Sequence, residues 1–164
     1  MTGPGRRRMR IRILWVGKTR EPAINTLVAD YVSRIRHLSA CDIVEIPDIA
    51  RRRRLQGAEL LRAEGEEIAK RLSEGCRLVV LDEKGRQFAS PAFARWLDAE
   101  LTRGTREIFF VIGGSEGISG HLLDRADLKL SLGAMTWTHE MCRILLAEQI
   151  YRAFTILRNL PYHK

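Results

Sequence analysis

Three groups of residues in this chain are of the right type and spacing to do chemistry. The first is Gly113-Gly114-Ser115-Glu116-Gly117, which ends the apolar run Phe109-Phe110-Val111-Ile112. Glycine lacks a Cβ, so it lets a ligand approach the main chain. A second run of mostly small residues, Leu132-Gly133-Ala134-Met135-Thr136-Trp137-Thr138, also follows a strand-like segment and ends at His139. Two such loops could hold a ligand through their peptide groups. The second group is carried by one helical pattern. His139 and Arg143 are four apart, as are Glu148 and Arg152, so each pair can share a helix face. An exposed Glu148–Arg152 pair by itself contributes only tenths of a kcal/mol. The third group is the ending Pro161-Tyr162-His163-Lys164, which offers a stacking ring, a titratable ring and a cation.

The glycine run also satisfies Gly-x-Ser-x-Gly, the nucleophile elbow of α/β-hydrolases. Asp124, Asp127 and His139 follow it in the required order. Ser115 is therefore a rival nucleophile. No P-loop string and no dinucleotide fingerprint occurs.

The elements that must position these groups alternate between strand and helix. Residues 10–16 read as a first strand closed by Gly17, and Pro22 starts a helix to about Leu38. A second strand over 42–46 stops at Pro47. The arginines 51–54 lie between it and a helix over 55–72. Residues 78–81 form a continuous apolar strand, after which 82–85 turn. Ser90-Pro91 opens a helix to about Arg103. Strands over 107–112 and 128–132 enclose a short helix over 119–125, and a long helix covers 140–157. This alternation predicts a mostly parallel sheet with helices on both faces. Ligands bind such sheets at the carboxyl ends of the strands.

The length of 164 residues predicts one domain, with residues 1–8 as a basic extension and Met9 as an alternative start. The net charge of +8 points to a polyanionic partner. Arginines cluster at positions 6, 7, 8, 10 and 12 and again at 51–54, and guanidinium forks suit phosphate. A basic RNA-binding module without catalysis would also explain the charge. Cys41, Cys76 and Cys142 are far apart and odd in number, which predicts reduced thiols rather than a disulfide framework or a zinc site. No apolar run spans a bilayer and no signal core follows the amino terminus, so a cytoplasmic protein without a membrane partner is expected.

Residues 113–117 and 132–139, the helix segment Leu146-Ala147-Glu148-Gln149-Ile150-Tyr151-Arg152-Ala153 and the Pro-Tyr-His ending together resemble the bacterial 23S rRNA pseudouridine N3-methyltransferases (the RlmH type) of the SPOUT superfamily. The likeness runs from Met9 to Lys164. It implies an α/β fold with a C-terminal trefoil knot, a homodimer, and S-adenosylmethionine as cofactor with no metal. The implied substrate is N3 of a pseudouridine in helix 69 of the assembled ribosome's large subunit. It further implies cofactor contacts from Leu81, Gly113, Gly114, Leu132, Gly133, Ala134, Met135, Thr136, Trp137 and Thr138. Catalytic roles fall on Glu148, Arg152, Tyr162 and His163, and RNA contacts on His139, Arg143 and Lys164. The chain departs from the family at Ser115, where Pro is frequent, and at Trp137-Thr138, where Leu-Pro is frequent. Lys164 replaces a frequent Arg. A SPOUT enzyme acting on tRNA ribose is the nearest alternative within the superfamily.

Overall fold

The computed structural model describes residues 9–162. Five parallel strands form one sheet: β1 (Arg10–Val16), β2 (Ala40–Ile46), β3 (Arg77–Gln87), β4 (Glu107–Ile112) and β5 (Leu128–Ser131), in the order β2-β1-β4-β3-β5. Six helices connect or follow them: α1 (Pro22–Arg36), α2 (Ile49–Arg53), α3 (Gly57–Arg71), α4 (Ser90–Thr102), α5 (Gly120–Arg125) and α6 (His139–Leu157).

β4 shows why the sheet sits where it does. Its residues alternate between two apolar layers, as a strand buried on both faces requires. Ile108, Phe110 and Ile112 join the layer under α1, α4 and α6, with Val28, Val32, Phe93, Leu97, Leu146, Ile150 and Phe154. Phe109 and Val111 join the opposite layer with Ile68 of α3 and Leu122 of α5. Each fully buried side chain of this size stabilises the fold by roughly 1.5–3 kcal/mol. The sheet and its two helical layers therefore hold the carboxyl ends of β4, β3 and β5 in fixed relation.

Three segments differ from the sequence reading. The arginine run is partly helical, because Asp48 caps α2 by accepting from the Arg51 backbone N–H at 3.1 Å. The following helix begins at Gly57, two residues later than its apolar pattern suggests, since Arg54 adopts a left-handed conformation (φ 52°) that ends α2. Residues 82–85 do not end β3. Leu81 and Arg86 both stand opposite Leu130, so the four residues between them leave the ladder as an irregularity and the strand resumes. Gly85 makes this possible, as a Cβ there would lie 2.6 Å from the Lys129 carbonyl oxygen.

Candidate active site

Three neighbouring strands end at one cleft of about 680 Å³. β3 contributes Leu81, Asp82 and Glu83, and β4 leads into residues 112–118. β5 leads into Ser131, Leu132, Gly133, Met135, Thr136, Trp137 and Thr138, with His139 and Cys142 of α6 closing the side. All ten expected cofactor positions except Ala134 line this cleft.

The glycines of the first loop are required by packing within the protein. A Cβ at Gly113 would lie 2.3 Å from the Gly117 carbonyl oxygen. Gly114 and Gly117 bridge to each other, and Gly117 adopts φ +89°. At Gly114 a Cβ would meet the Glu64 carboxyl at 2.9 Å. Gly133 behaves differently: it has φ +135° and open space where a Cβ would stand. Its loop presents free backbone. Among the described residues, the N–H groups of Met135, Thr136, Trp137 and Thr138 donate to no protein acceptor. Met135 and Trp137 are 75% and 40% exposed, although large apolar side chains normally seek cover. A cleft with apolar walls, free peptide donors and little side-chain bulk fits a ligand with an aromatic base and a polar tail.

The loop ends where α6 begins. The Thr138 hydroxyl accepts from the Met141 N–H at 3.2 Å, which is N-cap geometry. Glu140 accepts from the backbone N–H groups of Arg20 (2.5 Å) and Glu21 (3.4 Å), and these bonds, the first above all, hold its carboxyl below the usual range. Sequence reasoning gives Glu140 no role, because its partners lie about 120 residues away. His139 is held below its usual value by desolvation and then by Arg143.

Arg143 corrects an expectation. It is 1% exposed, donates to the Val16 carbonyl at 2.9 Å and the Thr19 hydroxyl at 2.8 Å, and lies over the Trp15 ring. It ties α6 to the end of β1 and has no surface to offer RNA. The i, i+4 spacing from His139 was correctly seen, but it cannot tell which of two neighbouring side chains turns inward.

Glu148, Arg152 and Tyr162 come together, and they do so away from the cleft. Arg152 donates to Glu148 Oε1 from Nε (2.9 Å) and Nη2 (2.6 Å), and the Tyr162 hydroxyl donates to the same oxygen at 3.1 Å. Gln149 donates to Oε2 at 2.8 Å. Tyr31 of α1 stands 3.2 Å from the Tyr162 hydroxyl, and the Tyr162 ring packs edge-on against Tyr151. Burial, then Tyr31, then Glu148 push the Tyr162 phenol upward, so it stays a proton donor. Tyr31 carried no sequence signal for this role. Glu148 lies nine residues along α6 from His139, roughly 13–14 Å of helix. None of Glu148, Arg152 or Tyr162 lines the cleft. His163 and Lys164 lie outside the described residues.

The elbow reading of Ser115 lacks its geometry. An elbow needs a helix starting at the nucleophile, whereas α5 starts at Gly120 and the intervening loop is closed by the Gly114–Gly117 bridge. Ser115 is exposed, and among the described residues its hydroxyl bonds to no histidine or acid.

A parallel α/β sheet with a cleft at three adjacent strand ends is the setting in which the comparisons place this chain. Residues 9–163 match the family described as "Predicted SPOUT methyltransferase". The chain belongs to the SPOUT methyltransferase family. It is 43% identical over 155 residues to Ribosomal RNA large subunit methyltransferase H of Pelobacter propionicus, covering 94% of this chain and 99% of that protein. It is 45% identical, with the same coverage, to the protein of that name from Trichlorobacter lovleyi. A probable methylase family protein from Haemophilus influenzae shares the fold, with a TM-score of 0.54, 15% identity, and coverage of 95% of this chain and 71% of that one.

Proposed function

We propose that this protein transfers a methyl group from S-adenosylmethionine to N3 of a pseudouridine in 23S ribosomal RNA, acting as a cytoplasmic homodimer on the assembled ribosome. The observation that carries the reading is the cleft at the ends of β4, β3 and β5, with its free backbone donors, in a chain 43% and 45% identical to two large-subunit rRNA methyltransferases. Leu81, Gly113, Gly114 and the loop from Leu132 to Thr138 would hold the cofactor, with Ala134 acting through the shape of that loop. When bound, the cofactor supplies an electrophilic methyl on a positively charged sulfur.

The chain's own residues then have three tasks. The cleft loops hold one reactant in place, and orientation of this kind accounts for much of the acceleration in transfer reactions. The arginines at 51–54 supply phosphate contacts. They are exposed, and the chain just beyond them is tied to the cleft by the Gly57 N–H, which donates to Glu116 Oε1 at 3.5 Å. Glu148 or His163 accepts the N3 proton, directly or through water, and Arg152 and Lys164 stabilise negative charge on the base. Tyr162 stacks on a base splayed from its loop. A single chain holds Glu148 away from its own cleft, which supports a dimer in which the second subunit supplies these groups. The C-terminal knot belongs to the same proposal.

Calorimetry with S-adenosylmethionine tests the cofactor, with micromolar binding expected and no heat at any concentration overturning it. Transfer of labelled methyl to ribosomes with and without the target pseudouridine tests the substrate. A ribose-methylated nucleoside in the product would favour the tRNA-type alternative. Labelling of Ser115 by a fluorophosphonate would restore the hydrolase.

A further inference from the structure

Glu64 is a buried acid with no described role. It sits on α3 at 4% exposure, and among the described residues its Oε2 has no hydrogen-bond partner. Buried carboxyl oxygens are ordinarily satisfied, so an orphaned one calls for a reason. Its position supplies one. Both carboxyl oxygens and Cδ lie within 2.9–3.2 Å of where a Gly114 Cβ would stand. The carboxyl thus packs directly behind a residue whose other side lines the cleft. The next residue, Gly65, is equally tight, since a Cβ there would lie 2.4 Å from the Ser119 hydroxyl. α3 is therefore pressed against both ends of the segment that follows β4.

We propose that Glu64 is a positioning residue for the cleft: its carboxyl fixes Gly114 and makes the grip on a cationic ligand depend on whether that carboxyl carries a proton. The charged groups facing it are Asp48, from the cap of α2, and Glu116, from the cleft loop itself. Both are acids, and no described cation pairs with Glu64. Burial first, then these two charges, push its carboxyl up to about 7. At neutral pH it is poised between neutral acid and carboxylate. A positive sulfonium in the adjoining cleft favours the carboxylate, and the displaced proton passes to solvent buffer. The demethylated cofactor is uncharged at sulfur and lacks that pull. Glu64 therefore distinguishes the charged donor from its spent form, which rests on the cofactor reading above.

The test follows the Gly114 amide by NMR in glycine-labelled protein, where thirteen glycines keep the spectrum sparse. In the free protein its shift should titrate with a midpoint near 7, and Glu64→Gln should abolish that titration. S-adenosylmethionine should move the midpoint down by about one unit, so its affinity should rise roughly tenfold as pH increases through that range. S-adenosylhomocysteine should move it far less. A Gly114 amide that is invariant with pH in the wild-type free protein overturns the proposal, whether or not cofactor binds and whether or not the variant folds. So does an equal midpoint shift by both ligands. Absence of any cofactor response, alongside an intact free-protein titration, sinks the cofactor reading and leaves the Glu64–Gly114 coupling standing.

Discussion

The cleft and the Glu148 cluster are built in opposite ways. The cleft offers backbone: among the described residues, Met135 to Thr138 have unbonded N–H groups, and Gly133 leaves open space. The cluster offers side chains that are already bonded to one another, with three donors converging on Glu148 Oε1. An open site of the first kind can take a ligand without rearrangement. A closed network acts only when a competing group displaces one of its members. Under the proposed function, a substrate base, or the tail of a second subunit, would be such a competitor. Cofactor affinity should then be set by the cleft alone, and transfer by the cluster.

The largest effect should come from Gly113→Ala. The new methyl would sit 2.3 Å from a backbone oxygen, and no flexible side chain can move aside. The loop must shift, which should cost about 3 kcal/mol, or roughly 100-fold in cofactor affinity by calorimetry. The Tyr162 resonances should not move. If they do, the two regions are not independent.

Arg143→Met should come next, and it should act on stability. It leaves the Val16 carbonyl and the Thr19 hydroxyl without their donor. Loss of a buried charged donor should lower stability by about 2 kcal/mol in urea unfolding. RNA affinity of the folded protein should be unchanged, whereas a drop in it would return Arg143 to the RNA surface.

Glu148→Gln keeps the shape of the network but removes the charge opposite Arg152. Methyl transfer should fall by about 10- to 100-fold, with cofactor affinity altered less than about twofold. A matching loss in affinity would show that the cluster belongs to the cofactor site after all.

What the sequence disclosed follows from how local each signal is. The strand pattern of β1, the continuous apolar run of β4 and proline at the starts of α1 and α4 are properties of short windows, and they placed those elements correctly, whereas the turn expected over 82–85 did not end β3. Grouping Glu148 with Arg152 needed only helical spacing. Glu64 escaped notice, and Glu140 was given no role, because the groups they meet, Gly114 and Arg20, are remote in sequence and contribute backbone, which leaves no residue-type pattern. Arg143 was misread for a related reason. A surface arginine and an interior one look alike until the end of β1 is packed against it. The roles of Gly113 and Gly114 were half seen: small residues were indeed required, but the neighbours that require them are Gly117 and Glu64 rather than a ligand alone.

The smallest effect concerns His139, which stands where α6 leaves the cleft and so belongs to both regions. Desolvation, then Arg143, lower its value in the folded state below the ordinary 6.5, and Arg20 adds to this against Glu140. The unfolded chain therefore takes up the proton first as pH falls. Stability contributed by neutral His139 is full above 6.5 and is lost as pH drops through that value towards the folded one. Beyond that point both states are protonated and the loss stops. His139→Gln removes the linkage, so wild type should weaken relative to the variant in urea unfolding as pH falls below 6.5, with parallel curves above it. Parallel curves throughout would mean that the imidazole is fully solvated and that the cleft edge does not desolvate it. A divergence that vanishes when S-adenosylmethionine is added would place the ring against the bound ligand, on the cleft side of α6 rather than on the side of the Glu148 network.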